Sequence, residues 1–361
     1  MRKYKVGILG ATGMVGQRLI TLMENHPWFE LGTVAASARS AGKTYEEALG
    51  ERWCMTTDLP EKYKNLVMMD AVGDAKKIAD ENEFVFCAVD LSKDEIRAFE
   101  EEYAKMECPV MSNNSAHRWT PDVPMIIPEV NPDHIKVIDY QKQRLGTARG
   151  FISVKSNCSI QSYVPALQPL RKFGVERVLA CTYQAISGAG KTFKRWPEMI
   201  DNVIPYIGGE EEKSEQEPLK VWGQIKNGVI EKAEGIAITA QCLRVPVSDG
   251  HMAAVFASFK NTPSLEEIRY AWDNFENPIA HLALPSAPKK FLNYFEEPDR
   301  PQTRLDRTLE NGMAVSIGRL RADTQYDVKF VSLSHNTLRG AAGGNVLMAE
   351  LLCAEGYIQA K

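Results

Sequence analysis

The sequence has no CxxC pair, no surplus of either charge, and no apolar run of the about 18 residues that would mark a membrane span. Each absence closes off a class of protein. The seven cysteines form an odd set without metal-ligand spacing, which argues against a disulfide framework and against a zinc ribbon. No metal is therefore expected, and the cytoplasm is the default compartment. At least one thiol must be free, as core filler or as chemistry. With 43 Lys and Arg against 47 Asp and Glu, the net charge is −4, which gives no electrostatic footprint for nucleic acid or an anionic membrane. Low-complexity tracts and internal repeats are also missing. The opening residues MRKYKVGILG are basic and then apolar, but Gly7, Gly10 and Gly13 break the run and no small-residue cleavage site follows, so the segment reads as a buried strand.

What is present is enough chain, 361 residues, for two or three domains around a large core. In the first half, apolar runs alternate with helical spacing. Tyr4 to Leu9, Leu31 to Ala36, Phe84 to Val89 and Pro109 to Ser112 read as strands, and Met14 to Glu24 and Lys93 to Lys105 as helices. Such alternation implies right-handed βαβ units and a parallel sheet covered on both faces. After Phe151 the character changes to long β-rich runs, Val178 to Ile186, Ile236 to Val247, His251 to Phe259, Met313 to Leu320 and Tyr326 to Ser334, which read as antiparallel. Ser248-Asp-Gly250 between two of these runs signals a hairpin or tight reversal. Gly340 to Gly356 returns to helical spacing with Val346, Leu347, Leu351 and Leu352 on one stripe. The fold class is therefore α/β, with a Rossmann-type nucleotide domain at 1–157 completed by 340–361, and a mixed α+β domain at 158–339.

Glycines at 7, 10, 13 and 16 fall between the first strand and the first helix, in GILGATGMVGQR. At that position, glycine lets backbone N–H groups approach a pyrophosphate, and a helix beginning near Met14 directs its positive end at the same charge. The spacing is GxxGxxG rather than the commoner GxGxxG. The second strand ends in Ala-Ser-Ala-Arg-Ser instead of the acidic residue that would bind a ribose hydroxyl. Ser37, Arg39 and Ser40 can donate to a 2′-phosphate, so the expected cofactor is NADP.

Six cysteines sit in apolar surroundings and read as core. Cys158 differs, lying in Ser156-Asn-Cys-Ser-Ile160 between a strand and a helix, where a helix dipole and free N–H groups are expected to lower a thiol pKa. Of the histidines, His26, His117, His134 and His281 have no special context, and His335 is open to a structural reading. His251 follows the Ser-Asp-Gly turn next to Arg244, so one short reversal can present an acid/base group and a carboxylate-binding guanidinium together.

In order along the chain, GATGMVGQR (10–18), SARSAGK (37–43), SNCS (156–159), QAISGAG (184–190), YIGGEEEK (206–213), LRVPVSDGH (243–251), RPQTRLDR (300–307) and SHNTLRGAAGGN (334–345) resemble the aspartate-β-semialdehyde dehydrogenase family over nearly the full length. The resemblance implies NADPH-dependent reductive dephosphorylation of L-aspartyl-4-phosphate to the semialdehyde, in the biosynthesis of lysine, threonine, methionine and isoleucine. It makes Cys158 the nucleophile that forms a thioester, His251 the acid/base partner, and Gln184 the residue orienting the acyl group. Asn157 precedes the cysteine as in the family pattern. Arg244 is then the grip on the substrate carboxylate, and Glu210 pairs with the amino group, although a shift of one would bring in Glu211 or Glu212. Arg118 and Lys213 match the phosphate-site cations. Gly10, Thr12, Gly13, Met14 and Val15 belong to the cofactor turn, while Ser187, Gly188 and Asn345 resemble contacts to the nicotinamide end. The family also implies a homodimer or homotetramer built through the second domain.

Two other readings stand beside this one. A sister acyl-thioester reductase, acting on malonyl-CoA or N-acetylglutamyl phosphate, would share the chemistry, but its substrate has no free amino group for Glu210. A non-catalytic NADP-binding regulator would predict decay of the cysteine, glutamine, arginine and histidine, all of which are in place.

Overall fold

The computed structural model describes residues 2–361; Met1, where the first domain is drawn to begin, lies outside them. Strands β1 (Tyr4–Leu9), β2 (Phe29–Ala36), β3 (Met69–Asp70), β4 (Phe84–Cys87), β5 (Val110–Ser112), β6 (Met125–Ile126) and β7 (Ile152–Lys155) form one sheet. Its order is β3-β2-β1-β4-β5-β7-β6, with every pair parallel. All four residues of β4 and of β7 are buried, as a strand covered on both faces requires. Phe29, Phe84 and Phe86 meet edge to face at its centre, at centroid distances of 5.2 Å for the Phe29–Phe84 and Phe84–Phe86 pairs. Helix α1 (Met14–Met23) follows β1 directly, and α2 (Lys93–Lys105) starts on a capping box made by Ser92 and Glu95. From β1 the chain winds outward to β2 and β3, and from β4 in the opposite direction. The crevice beyond the ends of β1 and β4 is thus the switch point at which such sheets bind ligands.

The second sheet contains β8 (Val175–Gln184), β11 (Ala237–Arg244), β12 (His251–Phe259), β13 (Leu292–Phe295), β14 (Val315–Ala322) and β15 (Val328–Ser334), while β9 (Gln224–Lys226) and β10 (Val229–Glu231) pair separately. The expected antiparallel sheet is in fact mixed: β11 runs parallel to β8, and β13 parallel to β14. The long connection from β8 to β11, which includes helix α3 (Glu210–Val221), carries the chain back so that it re-enters in the same direction. Of the hairpin or tight reversal expected at 247–251, the chain makes the reversal, between strands that do not pair because β8 lies between β11 and β12. Along β8 the residues Val178, Ala180 and Thr182 face the core, and Leu179, Cys181 and Tyr183 alternate with them on a more open face.

The last helix, α4 (Ala342–Ala354), packs against α1, β5 and β7. The stripe read from its sequence turns out to be one side of a helix buried all round, from Ala342 through Leu352. Its one carboxylate, Glu350, is matched by His26 at 2.7 Å and by the Ser286 hydroxyl at 2.6 Å.

Candidate active site

Two clefts meet at the end of the first sheet, with Gly13 and Ala88 lining both. The outer one, about 850 Å³, is bordered by Gly10, Thr12, Ser37, Arg39, Ser40 and Lys43. A dinucleotide fits what this region offers. Gly10 sits at φ +85°, and a Cβ there would come within 2.3 Å of the Ala88 carbonyl oxygen, so the turn closes only on glycine. Gly13 caps α1 without any side-chain bond, which leaves first-turn N–H groups for a phosphate. The end of β2 carries no carboxylate to repel a 2′-phosphate, though Asp70 and Asp90 border the cleft from the next strand ends.

The inner cleft, about 440 Å³, brings together Cys158, Asn157, Gln184, Glu210, Arg244 and Arg118 from distant parts of the chain. Met14, Val15, Ser187, Gly188 and Lys213 line it as well. Cys158 lies in the turn after β7. Asn157 shapes that turn: its Oδ1 accepts from the Ser159 N–H at 2.7 Å, and its Nδ2 donates to both Glu210 oxygens at 3.0 Å. Gln184 ends β8, Arg244 ends the parallel β11 as its register partner, and His251 begins the antiparallel β12. All three therefore emerge at one edge of the second sheet. His251 Nε2 lies 3.5 Å from Cys158 Sγ. The Ala185 peptide holds both neighbours, since its N–H donates to His251 Nδ1 at 3.0 Å and its carbonyl accepts from Arg244 Nη1 at 2.7 Å. A Cβ on Gly188 would stand 2.8 Å from Arg244 Nη1 and 2.9 Å from His251 Nε2.

Of the three consecutive glutamates, Glu210 faces the cleft, whereas Glu211 accepts from Gln241 at 2.7 Å and Glu212 is exposed. Burial alone would raise the Glu210 carboxyl, but Lys213, Asn157 and Gln184 together hold it below its ordinary value. Asn345 is fully buried, with Nδ2 donating to the Met111 carbonyl at 3.1 Å and Oδ1 without a protein partner.

Two expectations need correction, the helix dipole at Cys158 and the core placement of all six other cysteines. Only a short 3₁₀ turn and a four-residue helix follow Cys158, so there is little helix dipole; burial, with Glu210 adding to it, pushes the thiol up rather than down. His251 is driven well below its ordinary value by burial and then by Arg244. The phosphate-site cations are not free: Arg118 pairs with Glu217 at 2.8 Å and Lys213 with Glu210 at 2.7 Å. Of the six cysteines read as core, Cys87, Cys108 and Cys242 are buried, but Cys54, Cys181 and Cys353 are partly open.

Sequence reasoning missed Asn113, Asn114, Asn336 and Thr337, which line the inner cleft, and Lys155, which lines its floor. Asn336 and Thr337 stand inside the SHNT motif, and Lys155 is the one charge of β7, a signal present one residue before SNCS. Among the described residues no group of three or more His, Cys, Asp or Glu is arranged to hold a metal, and no helix is long and apolar enough to cross a membrane.

The chain matches two family models, the semialdehyde dehydrogenase NAD binding domain over residues 5–138 and the semialdehyde dehydrogenase dimerisation domain over residues 167–339. It is 43% identical to the aspartate-semialdehyde dehydrogenase of Aspergillus fumigatus, with 99% of each chain covered. Identity to the Archaeoglobus fulgidus protein of the same name is also 43%, over 99% of this chain and 100% of that one. A crystal structure of the Candida albicans aspartate semialdehyde dehydrogenase with NADP superposes with a TM-score of 0.88 at 38% identity, covering 99% of this chain and 100% of the other. Full-length identity of this order, on a fold whose motifs converge on one cleft, shows that the chain belongs to the aspartate-semialdehyde dehydrogenase family.

Proposed function

We propose that the chain is an NADP-dependent, phosphorylating aspartate-semialdehyde dehydrogenase of lysine, threonine, methionine and isoleucine biosynthesis. The observation that carries this reading is Cys158 Sγ at 3.5 Å from His251 Nε2, in a cleft that also presents Arg244 and Glu210. A guanidinium and a carboxylate placed together recognise the two charged ends of an amino acid, which neither a malonyl nor an N-acylated substrate offers.

In the biosynthetic direction Cys158 attacks the acyl carbon of L-aspartyl-4-phosphate; the bond to phosphate breaks and a thioester remains on sulfur. NADPH, when bound through the Gly10 to Val15 turn, Ser37, Arg39 and Ser40, supplies the hydride that reduces this acyl group. Gln184 and Asn157 orient the acyl group. Arg244 holds the α-carboxylate and Glu210 the α-amino group, displacing Lys213. His251 exchanges its proton at Nε2, because Nδ1 is committed to the Ala185 N–H. Arg118 and Lys213 draw the leaving phosphate, at the cost of loosening their carboxylate pairs. Residues 1–157 with 340–361 hold the cofactor, with Ser187, Gly188 and Asn345 toward its nicotinamide end, and 158–339 carry the thiol.

The open face of the second sheet, with Leu179, Cys181, Met252 and Phe256 only partly covered, supports assembly as a homodimer or homotetramer. The test is the phosphate-dependent reduction of NADP with L-aspartate semialdehyde, followed by absorbance, for the intact protein and Cys158→Ser. Turnover that needs phosphate and is lost, by about 10⁴-fold, with the thiol is expected. Turnover only with malonyl-CoA or N-acetylglutamate semialdehyde would move the enzyme to a sister reaction, and none with any of the three would leave a binding protein.

A further inference from the structure

Helix α3 carries Glu210, Lys213, Glu217 and Lys220 at steps of three and four residues, which places the four charges along one face. The proposed reaction uses the first two. Lys220 donates to the carbonyls of Arg118, Thr120 and Val123 at 2.7, 2.9 and 2.9 Å, so all three of its donors clamp the loop that carries Arg118. Glu217 is left without a role in the chemistry, and it does not line the cleft.

Glu217 is fully buried, and its two oxygens serve different parts of the site. Oε1 accepts from Arg118 Nη1 at 2.8 Å, and Oε2 accepts from the Asn157 N–H at 2.5 Å. Asn157 directly precedes the nucleophile, and its own side chain donates to Glu210. One carboxylate thus joins a phosphate-site cation to the peptide that starts the turn of Cys158.

Arg118 is only partly spent by this pairing. Its Nε donates to the Lys155 carbonyl at 3.0 Å and its Nη2 to the Asn113 carbonyl at 3.4 Å, which with the bond to Glu217 accounts for three of the five N–H groups. One N–H remains on each terminal nitrogen, and Arg118 lines the cleft. Two such donors match the fork by which arginine holds a phosphate. Arg339 is the contrast: it is buried too, but both of its terminal nitrogens close on Glu129, at 2.8 and 2.6 Å, and it is absent from the cleft lining.

Among the described residues Glu217 is the one carboxylate that pairs with Arg118. Its charge is sealed from water, so it opposes any anion drawn to the same guanidinium, and away from bulk water that opposition is felt over several ångströms.

We propose that Glu217 is a positioning residue for the phosphate step. It holds Arg118 against the turn of Cys158 and, as the buried counter-charge, keeps the grip on phosphate weak enough for the leaving group to depart. This rests on Arg118 being a phosphate-site cation of the proposed reaction.

The experiment is calorimetric titration of inorganic phosphate into the full-length protein, with NADP present so that the cofactor's own phosphate sites are filled. Glu217→Gln removes the charge, keeps an oxygen for the Asn157 N–H, and leaves the Lys220 clamp in place. Its Kd for phosphate is expected to fall about tenfold below that of the wild type. In turnover the KM for phosphate should fall with it while the KM for L-aspartate semialdehyde stays within about twofold, whereas loss of a merely structural carboxylate would raise both. Glu217→Asp keeps the charge, and its Kd for phosphate should stay within about twofold of the wild type. Unchanged or weaker phosphate binding in Glu217→Gln, or tightening in Glu217→Asp, overturns the assignment. Should Glu217→Gln fail to fold, Glu217→Asp decides alone. Calorimetry needs no turnover, so a tightened Glu217→Gln without dehydrogenase activity would sink the proposed reaction and leave the role of Glu217 standing. An active enzyme whose phosphate affinity ignores the charge at 217 would do the reverse.

Discussion

The outer and inner halves of the cleft are built in opposite ways. The outer half comes chiefly from two short stretches, 10–13 and 36–43, each a strand end running into a turn, with the ends of β3 and β4 bordering the rest. The inner half takes Cys158, Gln184, Glu210, Arg244 and His251 from the ends of five elements. A phosphate grip made of backbone N–H groups needs only a local conformation. Charge placement around a thiol depends on which strand ends share a sheet edge. The two halves should therefore fail differently when they are disturbed.

The largest effect is expected at the inner half. Arg244→Leu removes the guanidinium and leaves Glu210 without its complement; kcat/KM for L-aspartate semialdehyde should fall about 10²- to 10³-fold. NADP affinity, measured by fluorescence titration, should stay within about twofold, because Arg244 does not line the outer cleft. A matching loss of NADP binding would erase the distinction between the halves.

Next comes the outer turn. Gly10→Ala places a methyl 2.3 Å from the Ala88 oxygen at a positive φ. A loss of roughly 1–3 kcal/mol of stability is expected in denaturant unfolding, together with weaker cofactor binding. An unchanged midpoint would mean that the turn can rearrange.

Arg39→Asp acts more mildly, because the side chain is exposed on the cleft rim. NADPH affinity should drop about tenfold with kcat and NADH affinity little changed. Equal weakening of both cofactors would show that Arg39 does not read the 2′-phosphate.

The smallest effect is one of pH. Burial lowers the pKa of His117, His134, His251 and His335, the last to about 4. Unfolded, these rings take a proton near 6.5, so below about that pH the unfolded chain binds more protons and the fold loses stability. Their contribution is complete above 6.5 and is lost as pH falls toward the folded values. The melting temperature should drop by roughly 2–4 °C between pH 7 and 5.5. A flat profile would mean that the rings are already charged in the fold.

Much of the first sheet was legible because a strand buried on both faces writes itself as a continuous apolar run, as Phe84 to Cys87 does. The two-residue strands β3 and β6 were not, since two residues have no period. In the second sheet every strand but the four-residue β13 was visible, but their directions were not. Ser248-Asp-Gly250 signals a reversal, yet nothing local says that β8 will lie between the strands it joins. The reading of Arg244 beside His251 nevertheless reached the right neighbours, because both meet the end of β8.

By itself the sequence determined the glycine turn after β1, the absence of a carboxylate at the end of β2, and a cysteine set apart in a polar turn, because each depends on residue type and near neighbours. Tertiary structure alone decided that the thiol is pushed up, that Arg118 and Lys213 are already paired, and that Lys155 stands buried. Burial and the field of distant charges set those properties, and both belong to the packing of elements far apart in the chain.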